Sequence, residues 1–360
     1  MSRAVLFNGP ETQLEIAEVQ PPPLQEGEML VRVLACTLCR SDLHTHAGRR
    51  HGPTPAILGH EIVGRIEAFG PGTPPVDLAR EPAALGDRIT WSIVVGCGDC
   101  FFCDRDLPQK CVQLYKYGHE AVTPSRPLVG GLSDHIVLVR HTGWLRLPET
   151  IPTPVAALAN CAGATAASAL RAAGPVRDQR VLILGAGVLG VFAASMAKSA
   201  GAALVVAVDP QAVCRERALT FGADAAFDAK QDNLNSELKK KTEGVGFDIV
   251  LELAGVTPSV ATALAAVRTG GTAILVGSVA QCDPLSVDPE QIVRRMITLR
   301  GVHNYHPRDL QAAVEFLAGP GGRFPFASLV VEEYSLNDVE SAFRSAHAQP
   351  GARVCVNCEN

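Results

Sequence analysis

Residues 181–202 read VLILGAGVLGVFAASMAKSAGA: four apolar residues, a glycine turn, then a helical stretch. No other segment restricts the fold as strongly. Gly185, Gly187 and Gly190 make G-x-G-x-x-G, with Val188 and Leu189 between the last two glycines. Alone the motif is weak. Directly after a strand and at the opening of a helix it is the phosphate-binding turn of a βαβ unit. Gly185 permits the tight turn, Gly187 lets the backbone approach a pyrophosphate, and Gly190 lets helix pack closely on strand. The helix N-terminus adds free N–H groups and a partial positive charge. Around it, strand-like runs at 181–184, 204–208, 248–253 and 273–276 alternate with helical stretches. That alternation means βαβ units and a buried parallel sheet.

The second of these runs, LVVAV, ends at Asp209, roughly 20 residues beyond the glycines. A carboxylate there accepts hydrogen bonds from the adenosine ribose and repels a 2′-phosphate, which favours NAD over NADP. Arg215 is counted with the cofactor-contacting residues; with Arg217 it softens that preference. The competing reading of Asp209 is a cap on the next helix.

Residues 1–160 have a different texture, rich in Pro, His and Cys, with alternating apolar runs at 29–34 and 62–69 that read as strands. Residues 70–86 hold four prolines and read as an exposed loop. Near Leu299 the polar, His-containing texture returns. The expected organisation is therefore a β-rich domain at 1–161, a dinucleotide domain at 162–300, and a return to the first domain at 301–360.

Two cysteine constellations carry metal chemistry. Cys97, Cys100, Cys103 and Cys111 are spaced C-x2-C-x2-C-x7-C within a lobe at about 96–112. Four thiolates in so short a loop suit one tetrahedral zinc with no open position, a structural site. Gly96 and Gly98 let the chain turn around it. The second set is dispersed: Cys39 in CRSDLH, His60 in GHE, and Cys161 in NCAGAT. Together they make Cys2His, the ligand set of a catalytic zinc that keeps a fourth position for water or substrate. Cys36, Cys355 and Cys358 read as structural or exposed thiols, and Cys214 and Cys282 carry no evident signal.

Composition excludes several classes. The formal net charge of −5 argues against nucleic acid as a partner. The opening residues lack a signal-peptide pattern and no run is long enough for a membrane span, so a cytoplasmic protein is expected.

With CRSDLH, GHE, the four-cysteine lobe, NCAGAT, GAGVLG and Asp209 in this order, the sequence resembles the zinc-containing medium-chain alcohol dehydrogenases along almost its whole length. The resemblance implies an α/β fold: a GroES-like, β-rich catalytic domain built from both ends of the chain, and a Rossmann domain, a doubly wound parallel sheet, between them. It implies two zinc ions per chain, one catalytic and one structural, NAD as cofactor, and a homodimer or homotetramer, pairing through an edge strand at 272–277 or after Arg300. The implied reaction turns an alcohol into an aldehyde or ketone by hydride transfer from a zinc-bound alkoxide. By the same resemblance, Asp42 orients His60, Glu61 is a carboxylate near the metal, and Arg40 contacts the cofactor pyrophosphate. Ser41 takes the substrate proton and passes it through the cofactor ribose to His44, whose ordinary pKa near 6.5 suits release to solvent.

The substrate is less constrained. The run KYGHE and the approach WSIVVGCGDC resemble a bacterial branch of the family linked to phosphonate catabolism, which implies a hydroxyalkyl phosphonate or a related anionic alcohol. Arg49, Arg50, Lys116 and Arg126 are cations that could meet such a group, with His46, His51 and His303 as neutral donors. Two alternatives stand beside the zinc dehydrogenase: a zinc-independent enone or quinone reductase of the same fold, and a catalytically silent binding protein. The first predicts no catalytic ligands, and the second no cofactor reduction with any alcohol.

Overall fold

The computed structural model describes residues 1–72, 74–279 and 282–359. The chain forms two compact units: Met1–Ala164 with His306–Ala318 and Phe326–Asn360, and Thr165–Tyr305 with Gly319–Pro325.

The first unit is built on a seven-stranded sheet. Its long central strands, Met29–Thr37 and Glu61–Phe69, pair antiparallel. The C-terminal strand Arg353–Asn357 lies against the other edge of Met29–Thr37. That pairing puts Cys355 opposite Thr37 and Val356 opposite Cys36, so the end of the chain reaches the segment that leads into CRSDLH. Trp91, Trp144, Tyr117 and Phe343 are fully buried in the core of this unit. The expected loop at 70–86 carries no strand or helix among its described residues, and Thr73 lies outside them.

The second unit is a six-stranded parallel sheet. Its order is Ala225–Phe227, Leu204–Val208, Arg180–Leu184, Phe247–Glu252, Val267–Leu275 and Thr298–Gly301. In chain order within the unit this is 3-2-1-4-5-6, the doubly wound arrangement that binds dinucleotides where the order reverses. Val181, Leu182, Ile183, Val205, Val206, Ala207, Val250 and Leu251 are completely buried, as strands covered on both faces require. The edge expectation needs one correction. Residues 272–277 do not form a free edge, because Val267–Leu275 pairs with strands on both sides. The edge on this side is Thr298–Gly301, all four residues of which are exposed, and the opposite edge is Ala225–Phe227.

Candidate active site

The helix Arg40–His46 begins at Cys39, which stands at its N-cap position. The helix is short and its first turn is held by one carboxylate. Asp42 accepts from the Cys39 N–H at 2.9 Å and from the Gly59 N–H at 3.1 Å. The same side chain lies 3.0 Å from His60 Nδ1. One fully buried carboxylate thus joins CRSDLH to GHE. It also orients the His60 ring, with Nδ1 toward Asp42 and Nε2 directed away from it. Nε2 is 3.2 Å from Ser41 Oγ.

Cys161 arrives by a separate route. Asn160 Nδ2 donates to the Ile62 carbonyl at 3.3 Å, tying the junction to the strand Glu61–Phe69. Cys161 Sγ then lies 3.8 Å from Cys39 Sγ, and the donor atoms of Cys39, His60 and Cys161 all fall within 4.8 Å of one another. Two thiolates about 2.3 Å from one tetrahedral zinc stand about 3.8 Å apart, so the spacing suits that ion. The hydrogen bond from Cys161 holds Cys39 well below the ordinary thiol range, and the same bond, with burial, pushes Cys161 up. Burial works against a charge on His60, yet Asp42 and Cys39 overcome it and raise the imidazole to about 10. A metal binding here would displace the protons held by Cys161 and His60.

Glu61 is bound elsewhere. Its carboxylate accepts from Thr37 Oγ1 at 2.6 Å and from Arg353 Nε and an Arg353 terminal nitrogen at 2.7 and 2.9 Å. Arg353 also reaches Cys39 Sγ at 3.4 Å. A bidentate ion pair at complete burial rigidifies the floor beneath the cysteine. Nothing local to residue 353 marks it as part of this centre; the strand register brings it there.

His44 follows Ser41 by one helical turn and shares its face. Burial, with the Arg49 and Arg40 charges, holds it below its ordinary 6.5. Arg40 itself is exposed. Of the residues considered for an anionic group, Lys116 and Arg50 interact with each other close to the cysteines. Arg126 lies over the Tyr115 ring, and His46 stacks on Phe343.

The four-cysteine lobe closes within a few turns. Cys111 Sγ is 3.4 Å from Cys97 Sγ and 3.8 Å from Cys100 Sγ, which in turn is 3.5 Å from Cys103 Sγ. These are non-bonded distances with metal-like spacing, and all four cysteines are free of disulfides. Backbone N–H groups of Cys97 and Gln113 point at the Cys111 sulfur. Hydrogen bonds from the backbone of Cys103 and Val112 lower Cys100 to about 6. Asp106 pairs with His306 Nε2 at 3.1 Å and with Arg308, fastening the lobe to the helix Pro307–Ala318. Elsewhere, Cys36, Cys355 and Cys358 are buried and Cys282 is exposed.

In the parallel sheet, Gly185 turns with φ of +100°, where a side chain is strained and a Cβ would lie 2.8 Å from the Ala254 nitrogen. A Cβ on Gly190 would lie 2.1 Å from the Gly185 carbonyl oxygen. A Cβ on Gly187 would meet nothing, so the space at the start of the helix Val188–Ser199 is open for a phosphate. Val188 and Leu189 form the first turn of that helix. Asp209 accepts from the Ala186 N–H and the Gln211 N–H, both at 2.8 Å. It braces the glycine turn and the turn at Gln211 that leads into the helix Ala212–Thr220. Arg215 is held by the Asp209 carbonyl at 2.9 Å and the Asp228 carboxylate at 3.2 Å.

Comparison with known proteins matches this arrangement. Residues 25–149 fit the alcohol dehydrogenase GroES-like domain, and residues 188–319 the zinc-binding dehydrogenase domain. An L-threonine 3-dehydrogenase of Pyrococcus furiosus is 27% identical over 98% of this chain and 97% of its own. A protein of Mycobacterium tuberculosis named probable alcohol dehydrogenase is 30% identical over 91% of this chain and 89% of its own. The crystal structure of an alcohol dehydrogenase from Thermotoga maritima superposes with a TM-score of 0.92 at 26% identity, covering 99% of both chains. The chain is an oxidoreductase and belongs to the zinc-dependent medium-chain alcohol dehydrogenase family.

Proposed function

We propose that the protein is a zinc-dependent, NAD-linked dehydrogenase that oxidises an anionic alcohol, a hydroxyalkyl phosphonate, to the aldehyde or ketone. The observation that carries the zinc chemistry is the donor triangle of Cys39, His60 and Cys161 within 4.8 Å, with Asp42 on the far nitrogen of the imidazole. Cys39, His60 and Cys161 hold the catalytic ion, and Cys97, Cys100, Cys103 and Cys111 hold the structural one. When bound, zinc supplies Lewis acidity that makes a hydroxyl more acidic, and the nicotinamide supplies the hydride acceptor.

The chain's own residues manage position and protons. Asp42 keeps His60 in one orientation. Arg353 neutralises Glu61, so that carboxylate does not compete with the thiolates for the ion. Ser41 Oγ, next to His60 Nε2, receives the substrate proton. His44, kept neutral at neutral pH by burial and by Arg49 and Arg40, takes the proton onward to solvent. On the cofactor side, Gly185, Gly187, Gly190, Val188 and Leu189 cradle the pyrophosphate, and Arg40 contacts it. Asp209 receives the adenosine ribose. Because Arg215 is already engaged by Asp209 and Asp228, it offers little to a 2′-phosphate, which supports NAD over NADP. The phosphonate reading is supported by the runs WSIVVGCGDC and KYGHE.

The test is ultraviolet detection of reduced cofactor with zinc-loaded protein, NAD+ or NADP+, and paired neutral and phosphonate alcohols. NADH formation, faster with phosphonates, is the expected result. Clear preference for NADP+ would overturn the Asp209 assignment, and no reduction with any alcohol would overturn the dehydrogenase reading.

A further inference from the structure

The C-terminal strand carries a cation to a ligand sulfur. Its register sets Val356 opposite Cys36 and Cys355 opposite Thr37. Carried two residues further, the same antiparallel register sets Arg353 opposite Cys39. The Leu38 N–H on the Val354 carbonyl at 2.9 Å shows the pairing reaching that far. Arg353 is buried at this position, where a guanidinium is costly unless its donors are used.

The donors are used in a set order. Nε donates to Glu61 Oε2 at 2.7 Å and Nη2 to Glu61 Oε1 at 2.9 Å. Thr37 Oγ1 donates to Glu61 Oε2 at 2.6 Å, so the carboxylate is held from two sides. The paired bonds fix the plane of the guanidinium. In that plane Nη2 also donates to Cys39 Sγ at 3.4 Å. Neutralising Glu61 does not require this third bond, so the ion pair leaves it unexplained. It also makes the two sulfurs of the centre unequal. Cys161 Sγ lies 3.8 Å from Cys39 Sγ, and among the described residues no guanidinium donates to it.

A cationic N–H draws on sulfur lone pairs that a metal would otherwise receive. A thiolate that gives less leaves a bound ion more electron-poor and a stronger Lewis acid. We propose that Arg353 is a positioning residue for the open centre. Oriented by Glu61, it fixes Cys39 Sγ and weakens the donation of that sulfur to the ion. This goes beyond neutralising Glu61, and it rests on the reading of Cys39 as a ligand.

The experiment uses full-length protein with zinc in the lobe and Co2+ in the open centre. It compares the wild type, C39S, R353K and the double variant E61Q/R353L. Losing Arg353 alone would leave Glu61 buried without its cation, which is costly for folding. R353K keeps a charge against Glu61, and the double variant removes the pair as a unit. The two variants share only the lost guanidinium. The readout is the sulfur-to-cobalt charge-transfer band in the near ultraviolet. A hydrogen-bonded sulfur holds its lone pairs lower in energy, so the band should move to longer wavelength in both variants. An ammonium on a flexible stem lacks the rigid fork that serves carboxylate and sulfur together. With zinc in both centres, kcat should fall about 10- to 100-fold in both variants, with KM little changed. The substrate is pentanol or hydroxypropylphosphonate, whichever the wild type turns over faster.

A purely structural arginine would move the melting midpoint and not the band. A Cys39-dependent band unmoved in both variants would therefore overturn the proposal and leave Cys39 a ligand. A band moved only in the double variant would overturn it as a directed N–H to sulfur, since any cation would then suffice. A wild-type spectrum unaltered by C39S would overturn the ligand reading, and the proposal with it.

Discussion

The two cysteine centres of this chain are made in opposite ways. In the lobe, Cys97 and Cys111 are 14 residues apart and the sulfurs are set by nearby backbone N–H groups. In the other centre, Cys39 and Cys161 are 122 residues apart, and the third donor, His60, lies just before the strand Glu61–Phe69. Around the lobe the Asp99 side chain hydrogen-bonds Cys97, and Asp106 binds His306 and Arg308. Around the second centre buried Asp42, Glu61 and Arg353 all bear directly on ligands or their neighbours. A closed set of four thiolates in a local loop has no coordination position to spare, so its metal can only staple the chain. A dispersed set of three leaves a position open, and its geometry must be imposed by the rest of the fold.

Breaking one ligand in each centre gives the largest contrast. C39S should lower kcat/KM by more than the roughly 100-fold that loss of an outer-sphere partner costs. It should reduce zinc from two to one per chain and leave the melting midpoint nearly unchanged. C100S should act through folding instead, lowering the midpoint by roughly 5–10 °C or driving aggregation. Zinc analysis with thermal melts checks both. Retention of full activity in C39S would break the distinction between the two centres.

Asp42 offers a finer cut because it is no ligand. In D42N the amide can still meet Cys39 and Gly59 only in part, and it can no longer accept the His60 Nδ1–H with a full negative charge. Zinc affinity at the open centre should fall about 10- to 100-fold, with kcat/KM following. Metal at the lobe should be unaffected. Titration with a chelator, read as two phases of zinc release, separates the two; equal loss from both would mean that Asp42 acts on general stability alone.

The same contrast governs what could be read from residues in a row. The lobe was legible because all four ligands and their turn glycines lie within one short segment. The glycine turn with Asp209 was legible because strand, turn and helix follow one another. Ser41 and His44 were named through the family resemblance, and the helix Arg40–His46 supplies their shared face. Arg353 was not legible: its contact with Glu61 spans 292 residues and depends on the register of Arg353–Asn357 against Met29–Thr37. His119 was visible only as part of KYGHE, since its neighbour His60 is set by the Gly118 turn and not by spacing. Of the two edges expected, 272–277 is internal, because apolar pattern marks a strand without saying what lies beside it, while the one expected near Arg300 falls on the edge strand Thr298–Gly301. Asp209 braces the glycine turn and the turn at Gln211 and does not cap the helix Ala212–Thr220, a distinction that residue type alone does not make.

The smallest effect tests whether the open centre feels distant charge in a way the lobe does not. His44 lies below its ordinary 6.5 through burial first, then through Arg49 and Arg40. A lowered pKa means that the imidazole stays neutral, and able to accept a proton, further into acid. Activity limited by that step should therefore fall as pH drops through a value below 6.5. Removing one cation raises the pKa, so R49Q should move the acid limb of kcat to higher pH, by about 0.2–0.5 units for an exposed charge. Added salt should move the wild-type limb the same way and R49Q less, because screening acts on the same exposed pair. At the lobe, Cys100 owes its position near 6 to backbone N–H groups, and no side-chain charge leads there. Its zinc should therefore be released over the same acid range in R49Q and wild type. A shift of lobe zinc release together with the kcat limb would point to a change in the whole fold, and an unmoved limb would remove His44 from the proton path.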